Sequence, residues 1–166
     1  MSQFDIEADL ARITLQEARL QFSHFDGATA WELGCRLKTA AEARSAALAL
    51  EIRLAGQTVF FHAMAGTTPL NADWARRKRN LVELQHKSSY AIGLALQRDG
   101  QTLETKLGLA TRDYAAHGGS FPLRLAGCGC IGTITVSGLP QREDHALIIS
   151  VLADCLGLPL AELALD

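Results

Sequence analysis

The stretch HGGSFPLRLAGCGCIGTITVSGLPQREDHAL, residues 117–147, decides the fold. Phe121, Leu123 and Leu125 alternate with Pro122 and Arg124, the two-residue period of a half-buried strand. Ala126-Gly127-Cys128-Gly129 supplies a turn, because glycine takes positive φ without steric cost. The return strand spans Cys130 to Val136, with Ile134 and Val136 on one face and Thr133 and Thr135 on the other. Ser137-Gly138-Leu139-Pro140 turns the chain into a last helix that runs from Pro140 to Leu156. Pro140 suits a first helical turn, where its missing N–H costs nothing, and Glu143 and Asp144 suit the positive helix end.

Upstream of this hairpin the same periodicities give the remaining elements. A helix is expected from about Asp5 to Leu20, then a short strand over Gln21 to Phe25. Asp26 is the expected N-cap of a second helix reaching about Arg44. Ala47 to Arg53 and Gln57 to Ala63 form a hairpin about Ala55-Gly56. In its second strand Val59, Phe61 and Ala63 share one face and Phe60, His62 and Met64 the other, so a strand covered on both sides is expected. Asn71 is the expected cap of a third helix, which continues to about Gln85, breaks near Ser88-Ser89 and resumes from Tyr90 to Gln97. Thr102 to Tyr114 reads as a short helix or a loop. The order α-β-α-β-β-α-α-β-β-α predicts an α/β domain of the α+β type. Its five-stranded, mostly antiparallel sheet has helices on both sides, making three α-β-α layers.

A chain of 166 residues forms one domain by length, with no internal repeat or linker. Sixteen basic and eighteen acidic residues give a net charge of −2, which offers no field to gather nucleic acid or an anionic membrane. Apolar runs such as Ala46–Leu50 are too short to span a bilayer. The first ten residues carry acidic groups and no apolar secretory core, so a cytoplasmic protein with four reduced cysteines is expected.

Several residues could carry chemistry. Arg76-Arg77-Lys78-Arg79 is the densest charge, but four successive helical positions sweep about 300° and cannot all face one phosphate backbone. An ion-paired face, or a small-anion or subunit contact, is the expected use. Arg77 lies between Trp74 and Leu81 on one helical face and is the member expected to hold a carboxylate or a ligand anion. Cys128-Gly129-Cys130 offers two soft ligands where a structural zinc needs four, so no metal site is expected. His62, on an apolar strand, and His117, before Gly118-Gly119 in a loop, are the histidines whose settings stand out, against a reading as packed or hydrogen-bonded side chains. Ser137-Gly138 precedes a helix N-terminus, which can hold a carboxylate or phosphate, or can simply be capped. Gly-x-Ser-x-Gly is absent, so Ser137 is not marked as a hydrolase nucleophile.

Gly118-Gly119, Pro122, Gly132-Thr133-Ile134-Thr135-Val136-Ser137-Gly138 and Glu143-Asp144 together resemble the haem-degrading domain family, the HbpS-like and GlcG-like proteins. Asp73–Asn80, His86–Gly93 and Tyr114–Pro122 resemble an uncharacterised branch of it. The resemblance covers most of the chain. It implies a profilin-like α-β-α fold, a homo-oligomer of two or more copies, and binding of haem or a related tetrapyrrole, for whose iron His117 and His62 are the first candidates. An enzyme that degrades haem or acts on a small oxidised acid is one alternative. A structural or protein-partner module without a ligand is the other.

Overall fold

The computed structural model describes residues 5–166. Asp5 caps α1 (Ile6–Arg19) by accepting from the backbone N–H groups of Glu7 and Ala8. β1 follows as only two residues (Gln21–Phe22), shorter than the expected strand. Asp26 caps α2 (Gly27–Ala43) as expected, in a capping box with Thr29. β2 (Ala49–Leu54) and β3 (Gln57–Ala63) form the first hairpin. α3 (Pro69–Gln85) begins two residues before the expected Asn71. Thr68 is its N-cap, Pro69 takes the first turn, and Asn71 returns its amide oxygen to the Thr68 N–H. The expected break is real: His86 closes α3 in the left-handed conformation and Ser88 caps α4 (Ser89–Arg98). α5 (Leu103–Leu107) is a short helix within the ambiguous stretch. β4 (Ser120–Leu125), β5 (Gly129–Ser137) and α6 (Gln141–Leu156) complete the chain, with one 3-10 turn at Leu160–Glu162.

The five strands lie in the order β1-β4-β5-β2-β3. β1 runs parallel to β4, and every other pair is antiparallel. β5 occupies the centre, with Ile134 beside Phe121 on β4 and Ile52 on β2. Leu50, Ile52, Phe60, Phe121, Leu123, Ile134 and Val136 join Leu33, Leu37, Leu147, Ile148 and Leu152 in the main core. That core lies between the sheet and α2 with α6. Burying each such side chain contributes about 1.5–3 kcal/mol.

The opposite face of the sheet is polar and is covered by α3. Glu51 meets Arg79 at 2.9 Å, Arg53 meets Glu83 at 2.7 Å, and Ser120 and Thr135 exchange a 2.8 Å hydrogen bond. β3 departs from expectation. It is an edge strand, and Phe61 stays 48% exposed on it, so this strand is not covered on both sides. No described helix is long and apolar enough to cross a membrane.

Candidate functional site

The basic quartet is distributed, one residue at a time, to four carboxylates. Arg76 reaches Asp113 at 3.1 Å and also pairs with Asp73. Arg77 pairs with Asp73 at 3.1 Å, Arg79 with Glu51, and Lys78 with Asp144 at 3.1 Å. Helical geometry requires this spread, because each residue turns 100° from the last.

Lys78 is the member that sequence reasoning passed over. Its ammonium is buried and donates to Gly118 O at 3.1 Å, Val136 O at 2.7 Å and Asp144 Oδ2. All three of its donors are thereby satisfied. Asp144 in turn accepts from Gly138 N at 3.3 Å and Leu139 N at 3.0 Å. One ion pair therefore ties α3, the loop before β4, the end of β5 and the start of α6. Burial, set against the attraction between the two charges, pushes the Asp144 pKa up and the Lys78 pKa down. The available signal was Asp144 in the first turn of α6. Its partner follows only from the tertiary position of α3.

These ties shape a cleft of about 320 Å³ whose lining includes Trp74, Lys78, His117, Ser137, Gly138 and Asp144. His117 sets its ring edge-on to Trp74, with centroids 5.2 Å apart. Partial burial, then the charges of Lys78 and Arg77, lowers the His117 pKa and favours a neutral imidazole. The Ser137 hydroxyl makes no hydrogen bond to any described residue. The N–H groups of Gly138 and Leu139 already serve Asp144, so of the two readings of this helix end the capped one holds, the chain's own carboxylate taking the place of a ligand anion.

A second cavity, of about 340 Å³, lies on the other side of Trp74 and His117 and is lined also by Arg77, Leu96, Leu103 and Tyr114. The Arg77 guanidinium stacks 3.8 Å above the Trp74 ring, donating to Asp73 and to Thr111 O. Its Nη2 has no partner among the described residues. The structure thus brings His117, Ser137 and Gly138 to one cleft and Arg77 to the adjoining one. His62 lies elsewhere: it is paired opposite Leu50 on edge strand β3, with its side chain on the α2 face of the sheet.

The profile described as haem degrading protein HbpS-like matches residues 25–153. The chain belongs to this family. Curated relatives include a UPF0303 protein of Serratia proteamaculans, 62% identical over 94% of this chain and 97% of the relative. A UPF0303 protein of Azotobacter vinelandii is 57% identical over 98% of each. Among solved structures, the Ybr137w protein superposes with a TM-score of 0.82 at 26% identity, covering 89% of this chain and 87% of its own. HbpS, at 20% identity and TM-score 0.63, covers 82% of this chain and 93% of its own, and shares the fold. So does a PduOC–heme complex, at 18% identity and TM-score 0.62, covering 73% of this chain and 87% of its own.

Proposed function

We propose that this protein binds a flat, carboxylate-bearing small molecule of the tetrapyrrole class along Trp74 and His117. The observation that carries the reading is the assembly about Trp74. An imidazole meets its ring edge, a guanidinium covers its face, and a cavity opens on either side. Leu96, Leu103 and Tyr114 offer apolar surface to a macrocycle. Arg77 Nη2 is available to a propionate, and the neutral His117 imidazole is available to an iron. The residues therefore fit haem, whose iron would supply one open coordination position for a single imidazole. Family membership and a structural relative solved with heme support the ligand class. The free Ser137 hydroxyl, with no base hydrogen-bonded to it, favours binding over an acyl-transfer enzyme. Four free cysteines accord with the expected cytoplasmic location.

Hemin titration tests the proposal. A saturable Soret shift, altered by His117→Ala, is expected. Arg77→Ala is expected to weaken binding about tenfold or more without altering the spectrum, because a charge-assisted hydrogen bond is worth about 1.5–3 kcal/mol. A titration that does not saturate, matched by an unrelated protein of similar charge, would refute the assignment.

A further inference from the structure

α1 and α4 run antiparallel. Glu17, near the end of α1, accepts from Ser88 N at the head of α4 at 2.7 Å. Glu7, at the start of α1, meets Arg98 at the end of α4 at 3.6 Å. Between these ends, and bounded also by α5, lies a groove of about 380 Å³. It follows the seam between two minor apolar clusters, one containing Ile13 and the other Ile92. Its depth has a local cause: α4 presents Ala91 and Ala95 to it, one turn apart, and both side chains are short. Leu10 from α1 and Leu107 from α5 add apolar surface, and Leu107 is left 38% exposed.

Charge is unequal around this bed. Lys87, Arg98 and Lys106 line it against one acid, Glu17. Arg98 and Lys106 already share Asp99, at 2.8 Å and 2.5 Å. Glu17 is engaged too, by Ser88 N and by Arg124 at 3.7 Å. Burial pushes the Glu17 pKa up, against the pull of the Ser88 N–H, Arg124 and Lys87. Lys87 makes no hydrogen bond and no ion pair with any described residue. The groove therefore combines an apolar bed with one uncommitted cation at its Glu17 end.

We propose that this groove binds a slender monocarboxylate with an apolar tail, of the medium-chain fatty acid kind. Lys87 takes the carboxylate, and the tail follows Ala91 and Ala95 toward Leu107. One uncommitted ammonium selects a single negative charge, because a doubly charged phosphate would need a second cation and the other two are held by Asp99. The apolar bed selects the tail, since covering it removes hydrocarbon from water on both partners. Ala91 to Arg98 spans about 10 Å along α4, which sets the length of tail that can lie there. Lys87 and Ala95 line neither cavity beside Trp74, so this inference is independent of the tetrapyrrole reading.

The test is calorimetric titration of the full chain with decanoate below its micelle concentration. Butyrate shortens the tail, and decylamine reverses the head charge. Decanoate should bind saturably at one equivalent, and both comparison probes should bind more weakly. Ala95→Leu fills the bed with a good helix former and should weaken decanoate about tenfold or more. Lys87→Glu alters an exposed residue, so the circular dichroism spectrum and the hemin titration should both stay at wild type. That variant should reverse the order of the probes, with decylamine now above decanoate. Decanoate that does not saturate, equal binding of all three probes, wild-type affinity in Ala95→Leu, or an unaltered order in Lys87→Glu would each overturn the proposal.

Discussion

The Lys78 ammonium occupies the space that any side chain at residue 119 would need. A Cβ on Gly119 would stand 2.3 Å from Lys78 Nζ and 2.5 Å from Val136 O. Lys78 cannot swing away without losing three hydrogen bonds, and Val136 O belongs to the central strand. Gly119 also has φ +124°, which L side chains rarely adopt. Overpacking and the backbone penalty together predict a loss of about 2–4 kcal/mol for Gly119→Ala, measured by urea unfolding. A wild-type midpoint would contradict this packing.

Removing the ammonium itself leaves Asp144 buried without its counter-charge. Lys78→Met is expected to cost about 3–5 kcal/mol. Asp144→Asn removes the charge and keeps one oxygen, enough for the Leu139 N–H, so the double variant, which buries no unpaired charge, should lose clearly less than the sum of the two single losses. A double-mutant cycle by denaturant unfolding measures the coupling. Strict additivity would mean that the two charges do not act as a pair.

His145 gives the fold a defined acid response. It is fully buried and meets Gln16 Oε1 through Nε2 at 2.8 Å. Burial first, then the charge of Arg142, pushes its pKa down to about 3. Because the folded value lies below the unfolded value of about 6.5, its contribution is complete above pH about 6.5. That contribution is lost as pH falls toward about 3. The slope it adds approaches about 1.4 kcal/mol per pH unit across that window. His145→Gln should flatten the stability–pH curve there, whatever its effect at neutral pH. An unchanged slope would show that His145 is not neutral in the folded state.

The two histidines proposed from sequence as iron ligands now separate. His117 lies against Trp74, whereas His62 lies on the α2 face of the edge strand. His117→Ala should change a haem spectrum, and both His62→Ala and the exposed His24→Ala should leave it at wild type. A response to His62→Ala would place the ligand on the opposite side of the sheet.

Gly132 is a steric requirement of the central ladder. A Cβ there would lie 1.9 Å from Arg53 O on the neighbouring strand. Gly132→Val is therefore expected to cost at least about 3 kcal/mol, read as a lowered thermal midpoint.

The elements were legible where local physics sets them. The Phe121–Leu125 strand, the Asp26 cap and the interruption at Ser88-Ser89 each rest on residues close in sequence, and each is present in the structure. β4 nevertheless buries Pro122 as well as Phe121 and Leu123, and so is not the half-buried strand its alternation suggested. Thr68 was missed as a cap because Asn71 carries an equally good capping side chain; Pro69 in the first turn was the deciding signal. β3 misled because its apolar residues occupy both faces, a pattern that a buried strand and an unpartnered edge share. His117, Ser137 and Arg77 were singled out because their residue types are unusual for their settings. Lys78 was not, because its role depends on a carboxylate 66 positions away that enters from another helix. The capping of Gly138 and Leu139 by Asp144 is local, only six and five positions on, and was missed because Asp144 had been read only as a complement to the helix dipole.

The fan of ion pairs on α3 also constrains how the gene for this protein can vary in length. Asp73, Asp113, Asp144 and Glu51 sit on α3, on the loop before β4, on α6 and on β2. Inserting a single codon between Trp74 and Arg79 would rotate one part of the helix against the other by 100°. It would misalign the cations beyond the insertion with their acids at once, and would strand at least one buried charge. The turn at Ala126–Cys128, by contrast, holds exposed residues at a hairpin tip. Insertions and deletions are therefore expected to accumulate at that tip and to be purged from the middle of α3.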